Sequence, residues 1–145
     1  MGTLLFGPPA EVSTIEAKPA DKIFIKAKIG QKEYRLEIAN TMAKRAKGLS
    51  NRKTLPKNHG MLFVFKNPIN GQFCMEDMNF PLDFVWLMND QVIYLTENVA
   101  PLPPKTKATE GFSITQKHNK VIEFNAGQIE ASKVKIGDKI IFSVD

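Results

Sequence analysis

The residue most out of keeping with its neighbours is Asp83, in the run Pro81-Leu82-Asp83-Phe84-Val85-Trp86-Leu87-Met88. Successive side chains of a strand point to opposite faces, so Leu82, Phe84, Trp86 and Met88 share one face while Asp83 shares the other with Val85 and Leu87. A carboxylate withdrawn from water among aliphatic side chains must be paired, hydrogen-bonded or protonated. Arg52 is the expected partner, because a planar guanidinium grips a carboxylate through two hydrogen bonds. Such a pair either ties the loop around Arg52 to the sheet or marks a ligand site, and the first role has the greater weight. Glu76, Asp77 and Asp83 fall within eight positions, and paired carboxylates can serve as acid and base in glycoside hydrolysis. Glu76 and Asp77 also adjoin a turn, where solvated acids are ordinary. A soft-donor set of His59, Met61, Cys74, Met75 and Met78 could hold copper(I), which favours thiolate and thioether sulfur; His59, Cys74 and Met78 are its metal candidates. Against it, Met and buried Cys are common core fillers, and strand alternation would turn Cys74 away from Met75. A Cys74 buried among apolar groups would be inert as a thiol. The chain has no nucleophile elbow, phosphate-binding loop or HExxH motif, and His59 and His118 stand in polar stretches that read as loops, so serine-hydrolase, kinase and zinc-protease chemistries fail.

The elements that must position these groups are mostly strands. From Gly60 to Ala100 lie the only Trp, the only Cys and four of the six Met, the bulky material for a core. Met61 to Phe65, Phe73 to Met75 and Leu82 to Met88 are too short and too punctuated by Pro, Gly and Asn for helices, and read as strands. Upstream, Lys22 to Ile29 alternates, with Ile23, Ile25, Ala27 and Ile29 on one side, and Gly30-Gln31 turns it into KEYRLEIA, where Tyr34, Leu36 and Ile38 face a core and Glu33, Arg35 and Glu37 face water. Asn40 or Thr41 can cap a two-turn helix over Met42 to Lys47, with Gly48 at its end. Ser50 to His59 reads as a loop with Leu55 pinned beneath it. Asn89-Asp90 turns the central strand back into QVIYLTENV, a second hairpin. Pro101 to Gly111 cannot join a ladder and is an exposed crossing loop. Phe112 to Thr115 is a weak strand, Lys120 to Asn125 a better one with Ile122 and Phe124 on one face, Gly127 to Ser132 a short helical turn, and a Gly-Asp turn precedes a last strand carrying Ile140, Phe142 and Val144. Many short strands with one or two short helices predict a mainly β fold, a compact antiparallel β-sandwich or partly closed β-barrel.

Length and composition bound the rest. A chain of 145 residues is enough for one domain with its own core, expected from residue 21 to 145. A single Cys allows neither an intramolecular disulfide nor a Cys-x-x-Cys zinc site. The net charge of +5 comes from 20 basic and 15 acidic residues scattered along the chain. Its densest basic cluster, Lys44 to Lys47 with Lys53 and Lys57 beyond, is neither long nor interleaved with aromatics, so no nucleic-acid partner is expected. No apolar run reaches the roughly 18 residues a spanning helix needs. Residues 1 to 20, MGTLLFGPPAEVSTIEAKPA, show no packing pattern and read as a flexible leader, or as a linker behind an export or anchoring segment.

As an ordered set, Gly48-Leu49, Arg52, Leu55, Pro56, GMLFVF from Gly60, Phe73-x-Met75 and Pro81-Leu82-Asp83 resembles the signature of a small bacterial and archaeal family, domain of unknown function 192. The likeness runs from about Tyr34 to the Gly137-Asp138 turn. It implies a compact β-rich single domain, carried in many members behind an export signal, with no established activity. This chain departs from the family's pattern in two places: Gly48-Leu49-Ser50 stands where members usually read Gly-Leu-Met, and Phe73-Cys74-Met75-Glu76-Asp77 where they usually read Phe-Trp-Met-Lys-Asn. Those exchanges change the volume and charge of any pocket there. The expectation is therefore a non-catalytic binding or accessory domain of the cell envelope, with a small site where the Arg52 loop meets Met75 and Asp83. Arg52, Met61, Phe73, Met75 and Asp83 are its ligand-binding candidates, for a small ligand or a protein partner. No catalytic residue and no cofactor are assigned, and membrane contact is expected only through an N-terminal anchor.

Overall fold

A computed structural model describes residues 21–109 and 111–145; the expected leader lies outside the described residues. Its elements run β1 (Phe24–Ile29), β2 (Lys32–Ala39), α1 (Met42–Lys47), β3 (His59–Ile69), β4 (Leu82–Met88), β5 (Gln91–Val99), β6 (His118–Asn125), α2 (Gln128–Ser132) and β7 (Ile141–Val144). The mainly β fold with two short helices is as expected. It takes the form of one seven-stranded sheet, ordered β5-β4-β6-β3-β2-β1-β7, that does not close into a barrel. One neighbouring pair departs from the antiparallel rule: β2 and β3 run parallel, with Glu37 beside Met61. The reason is the connection. Between them the chain crosses back through α1 and the 48–58 segment, and a tight hairpin turn, which alone enforces antiparallel pairing, is missing.

Both expected hairpins form. At the first, Gly30 adopts φ +56 and its backbone lies so close to the end of α2 that any Cβ there would collide with the Ser132 carbonyl oxygen. At the second, Asn89 and Asp90 both take positive φ, the geometry whose twist suits a two-residue hairpin. Just before β7, Lys139 bridges to Gln91, so the two ends of the sheet approach there without a continuing ladder.

The sheet is apolar on both faces, which explains why β4 reads as a nearly unbroken hydrophobic run. One face carries Met61, Phe63, Phe65, Leu82, Phe84, Trp86 and Val121 and is covered by loops that contribute Leu49, Leu55, Phe73, Met75 and Met78. The other carries Tyr34, Leu36, Leu62, Val85, Leu87, Ile122 and Phe124 and is covered by Ile129, Val134 and Ile140 around α2. The segment Phe73 to Met75, expected as a strand, is a buried loop whose one β-bridge is between Phe73 and Phe112. Phe112 to Thr115 likewise contributes that bridge and no strand.

Candidate functional site

The end of α1 and the turn after it build a polar concavity on the sheet's first face. Thr41 caps the helix by accepting from the Lys44 amide at 3.1 Å, and Gly48 ends it by donating its N–H to the Lys44 carbonyl at 2.9 Å. A six-residue helix is too short to persist alone, so it is held from outside. Arg45 donates from Nη1 to the Val64 carbonyl at 3.0 Å and lies 5.3 Å from the centre of the Phe65 ring, which pins the helix across β3. Beyond Gly48, Leu49 is fully buried in the core and anchors the turn, Asn51 takes φ +64 and donates its amide to the Asp77 carbonyl at 2.8 Å, and Asn79 donates from Nδ2 to the Arg52 carbonyl at 2.7 Å.

These contacts place Arg52 at the side of a groove of about 590 Å³, lined by Lys22, Glu37, Thr41, Lys44, Lys47, Ser50, Asn51, Arg52 and Met61 among others. Arg52 Nη2 is 2.7 Å from Glu37 Oε2, with both side chains largely withdrawn from solvent. Glu37 is thus the partner of Arg52, and Asp83 is not. The physical reason is the sheet itself. Glu37 sits beside Met61 in the β2–β3 ladder, on the face that Ala39 and Met61 share, whereas Asp83 lies on the face of Val85 and Leu87. Asp83 is fully buried and solves its desolvation with backbone amides: Asn98 donates to Oδ1 at 2.8 Å, and Gly127 and Ile129 donate to Oδ2 at 3.0 and 2.9 Å. Asp83 therefore caps the start of α2 and fastens β5 to it.

The remaining candidates separate. Arg52 and Met61 share the groove. Met75 and Cys74 line a second recess of about 480 Å³, under the 99–112 segment. They line it together because this stretch is a loop, where strand alternation does not apply. Phe73 lies in the aromatic core, its ring centre 5.5 Å from that of Phe63 and 5.4 Å from that of Trp86. Met78 is buried there too, and His59 opens β3 beside Arg35. Among the described residues no three His, Cys, Asp or Glu side chains come together as a metal site. Of the acids, Glu76 accepts the Ala108 amide at 3.0 Å and Asp77 occupies a turn at φ +60, so the three carboxylates serve three separate places.

Two buried titratable groups escaped the sequence reading. His118 lies in no loop; it is the first residue of β6 and fully buried. Its Nε2 accepts the Gly71 amide at 3.2 Å, its Nδ1 lies 3.2 Å from the Gln116 carbonyl, and Trp86 packs edge-on at 4.8 Å. Burial holds its pKa below the ordinary imidazole value. Glu123, between Met61 and Phe84 in the ladders, is also fully buried, and that burial pushes its carboxyl up to about 7. Of the other charged groove residues, Lys44 and Lys47 were weighed only as part of a basic cluster, Glu37 was read as facing water, and Lys22 was not singled out.

Residues 24–142 match the model of DUF192, a family described as an uncharacterized ACR. The chain belongs to DUF192. No curated protein matches it at a significant level. Two crystal structures share the fold. One is a protein of Sinorhizobium meliloti 1021 provisionally described as a transcription regulator, at TM-score 0.72 and 23% identity over 84% of this chain and 94% of that one. The other is a protein of unknown function from Novosphingobium aromaticivorans DSM 12444, at TM-score 0.69 and 24% identity over 94% of this chain and 98% of that one. Within the DUF192 domain, the residues that carried the resemblance divide by role: Gly48, Leu49 and Arg52 build the groove's turn, and Asp83 braces α2. Cys74 lines the second recess.

Proposed function

We propose that this DUF192 domain is a non-catalytic binding module whose groove beside α1 takes a small molecule through a carboxylate or phosphate group. The observation that carries the reading is the charge of the lining, in which Lys22, Lys44, Lys47 and Arg52 converge on one concavity and Glu37 is the one acid. Arg52 is the anchor. It is partly buried and oriented by Glu37 through a single Nη2 contact at 2.7 Å, which leaves further donors of the guanidinium for a second, bidentate oxyanion. A concavity of this volume is in the range of small-ligand sites, and Met61 with Ile38 and Ala43 supplies an apolar wall for the ligand's body. Carboxylate-dependent hydrolysis has less support, since Asp83 and Glu76 accept backbone amides. The cell-envelope setting implied by the family resemblance belongs to the same proposal.

A thermal-shift panel of phosphate, succinate, adenosine monophosphate and neutral sugars tests the reading, because a ligand specific for the folded state raises the melting temperature by mass action. Stabilisation by one or more of the anions, lost in Arg52→Met, is the expected result. Stabilisation by neutral sugars alone, or by anions equally in Arg52→Met, would overturn it.

A further inference from the structure

The second recess stands apart from the groove and has different chemistry. Its floor is Cys74, Met75, Val99, Leu102 and Phe112, and the 106–109 segment forms its rim. The floor is fixed: Phe73 and Phe112 exchange backbone hydrogen bonds at 2.9 and 2.7 Å, and Leu102 donates its amide to the Met75 carbonyl at 3.4 Å. The rim is tied across the opening at Ala108, whose amide donates to Glu76 Oε2 at 3.0 Å. Between floor and rim remains a volume of about 480 Å³. Lys107 is the one charged side chain on its lining, beside the hydroxyls of Thr106 and Thr109.

We infer that this recess is a binding site for a compact apolar group, an alkyl chain of roughly six to ten carbons, carried by a molecule with a neutral or acidic head. Three features fix that class. The thioether, thiol and aliphatic floor offers dispersion contacts and no strong hydrogen-bond partner, so the buried part of the ligand is hydrocarbon. The polar groups all stand at the rim, so the head remains at the surface. At the rim the Glu76 carboxylate is engaged by the Ala108 amide, while the Lys107 ammonium faces the opening, disfavours a cationic head and tolerates the other two. The size excludes a folded partner, and the Phe73–Phe112 bridge occupies the backbone edge that an added peptide strand would need. Cys74 matters because it is small: a larger side chain at that position would occupy the space.

The test is a methyl-detected NMR titration of the full chain with 1-butanol, 1-hexanol and 1-octanol, and with hexanoate and hexylammonium. Saturable shifts confined to the methyls of Met75, Val99 and Leu102 are expected with the alcohols and hexanoate. Affinity should tighten roughly three- to fourfold per added methylene until the recess is full, and hexylammonium should bind roughly two- to fivefold more weakly than hexanoate, as befits an exposed charge. Two substitutions should weaken 1-hexanol tenfold or more: Cys74→Trp, which fills the floor, and Ala100→Trp, which blocks the opening from an exposed position and so leaves the core intact. Shifts that do not saturate, that spread to Met61 or the groove, that ignore chain length, or that persist unchanged in folded Ala100→Trp would overturn the assignment. Loss of anion binding in the groove would leave these shifts untouched, so the two sites stand or fall separately.

Discussion

Replacing Asp83 by Asn removes a charge while changing the side chain's shape little, which makes it the sharpest probe of what holds β4, β5 and α2 together. The carboxylate accepts three backbone amides, from Asn98, Gly127 and Ile129. An Asn can still accept from Gly127 and Ile129 through one oxygen, but as a neutral acceptor. Hydrogen bonds to charged groups contribute about 1.5 to 3 kcal/mol against about 1 for neutral ones, so each of the two loses roughly 1 kcal/mol. Its amide nitrogen then meets the Asn98 N–H donor to donor, which costs about 1 to 3 kcal/mol more, towards the low end because Asn98 is at the surface. The relief of not burying a charge offsets part of this. A loss of about 2 to 4 kcal/mol is expected, a large fraction of the 5 to 15 kcal/mol typical of a domain. Urea unfolding followed by the fluorescence of the buried Trp86 measures it, and hydrogen exchange should accelerate first at Asn98, Gly127 and Ile129. Adding Arg52→Met should be additive within about 0.5 kcal/mol, since the two residues lie on opposite faces of the sheet. A loss below about 1 kcal/mol, or strong coupling to Arg52, would refute the reasoning.

Burial raises the Glu123 carboxyl from 4.5 to about 7, so the folded state holds its proton more tightly than the unfolded chain. Its contribution is complete below pH 4.5 and is lost as pH rises to about 7, an effect of about 3 kcal/mol that Glu123→Gln should abolish in a pH series of urea midpoints. His118 works in the opposite sense. Its lowered pKa means that the unfolded chain takes up the proton first, so stability is lost as pH falls below 6.5, and the imidazole proton resonances should stay those of the neutral ring below that pH. Protonation would also set its Nε2 donor against the Gly71 amide, so exchange at Gly71 should rise in acid. Gly30→Ala should cost more than about 2 kcal/mol by thermal unfolding, because it combines a left-handed backbone with a collision at Ser132.

Local pattern carried the fold further than it carried the site. The alternation in KIFIKAKI and PLDFVWLM separates the faces of β1 and β4, and that in KEYRLEIA does so at Tyr34 and Leu36, because successive strand residues point to opposite faces; it fails at the end of β2, where Ala39, on the side read as wet, is fully buried. The bounds Met42 to Lys47 and the stop at Gly48 were legible to the residue, since caps act through neighbouring backbone, and of the two possible caps, Asn40 and Thr41, the structure uses Thr41. Long-range partners leave no such mark. Asp83 announces that it needs donors, yet those donors are backbone amides at positions 98, 127 and 129, and a backbone amide has no sequence signature. His118 reads as a loop because Gln116, Lys117, Asn119 and Lys120 surround it; what buries it are Trp86 and Phe65 from other strands. Cys74 and Met75 were given a strand's alternation, but the single bridge at Phe73 ends any ladder there. The groove was half legible: Arg52 and Met61 meet as candidates, while Glu37, read as a solvent-facing strand acid, became the guanidinium's partner because β3 joined β2 in parallel.

The most direct test of the central claim is an amide NMR titration with phosphate and with succinate, in the wild-type chain and in Lys44→Gln/Lys47→Gln, which leaves the Glu37–Arg52 pair and the core in place. The account predicts saturable shifts clustered from Thr41 to Arg52 and at Met61 with at least one of the two anions, weakened fivefold or more in the double variant. Shifts scattered over the lysine-bearing surface, or equal affinity in both chains, would contradict it.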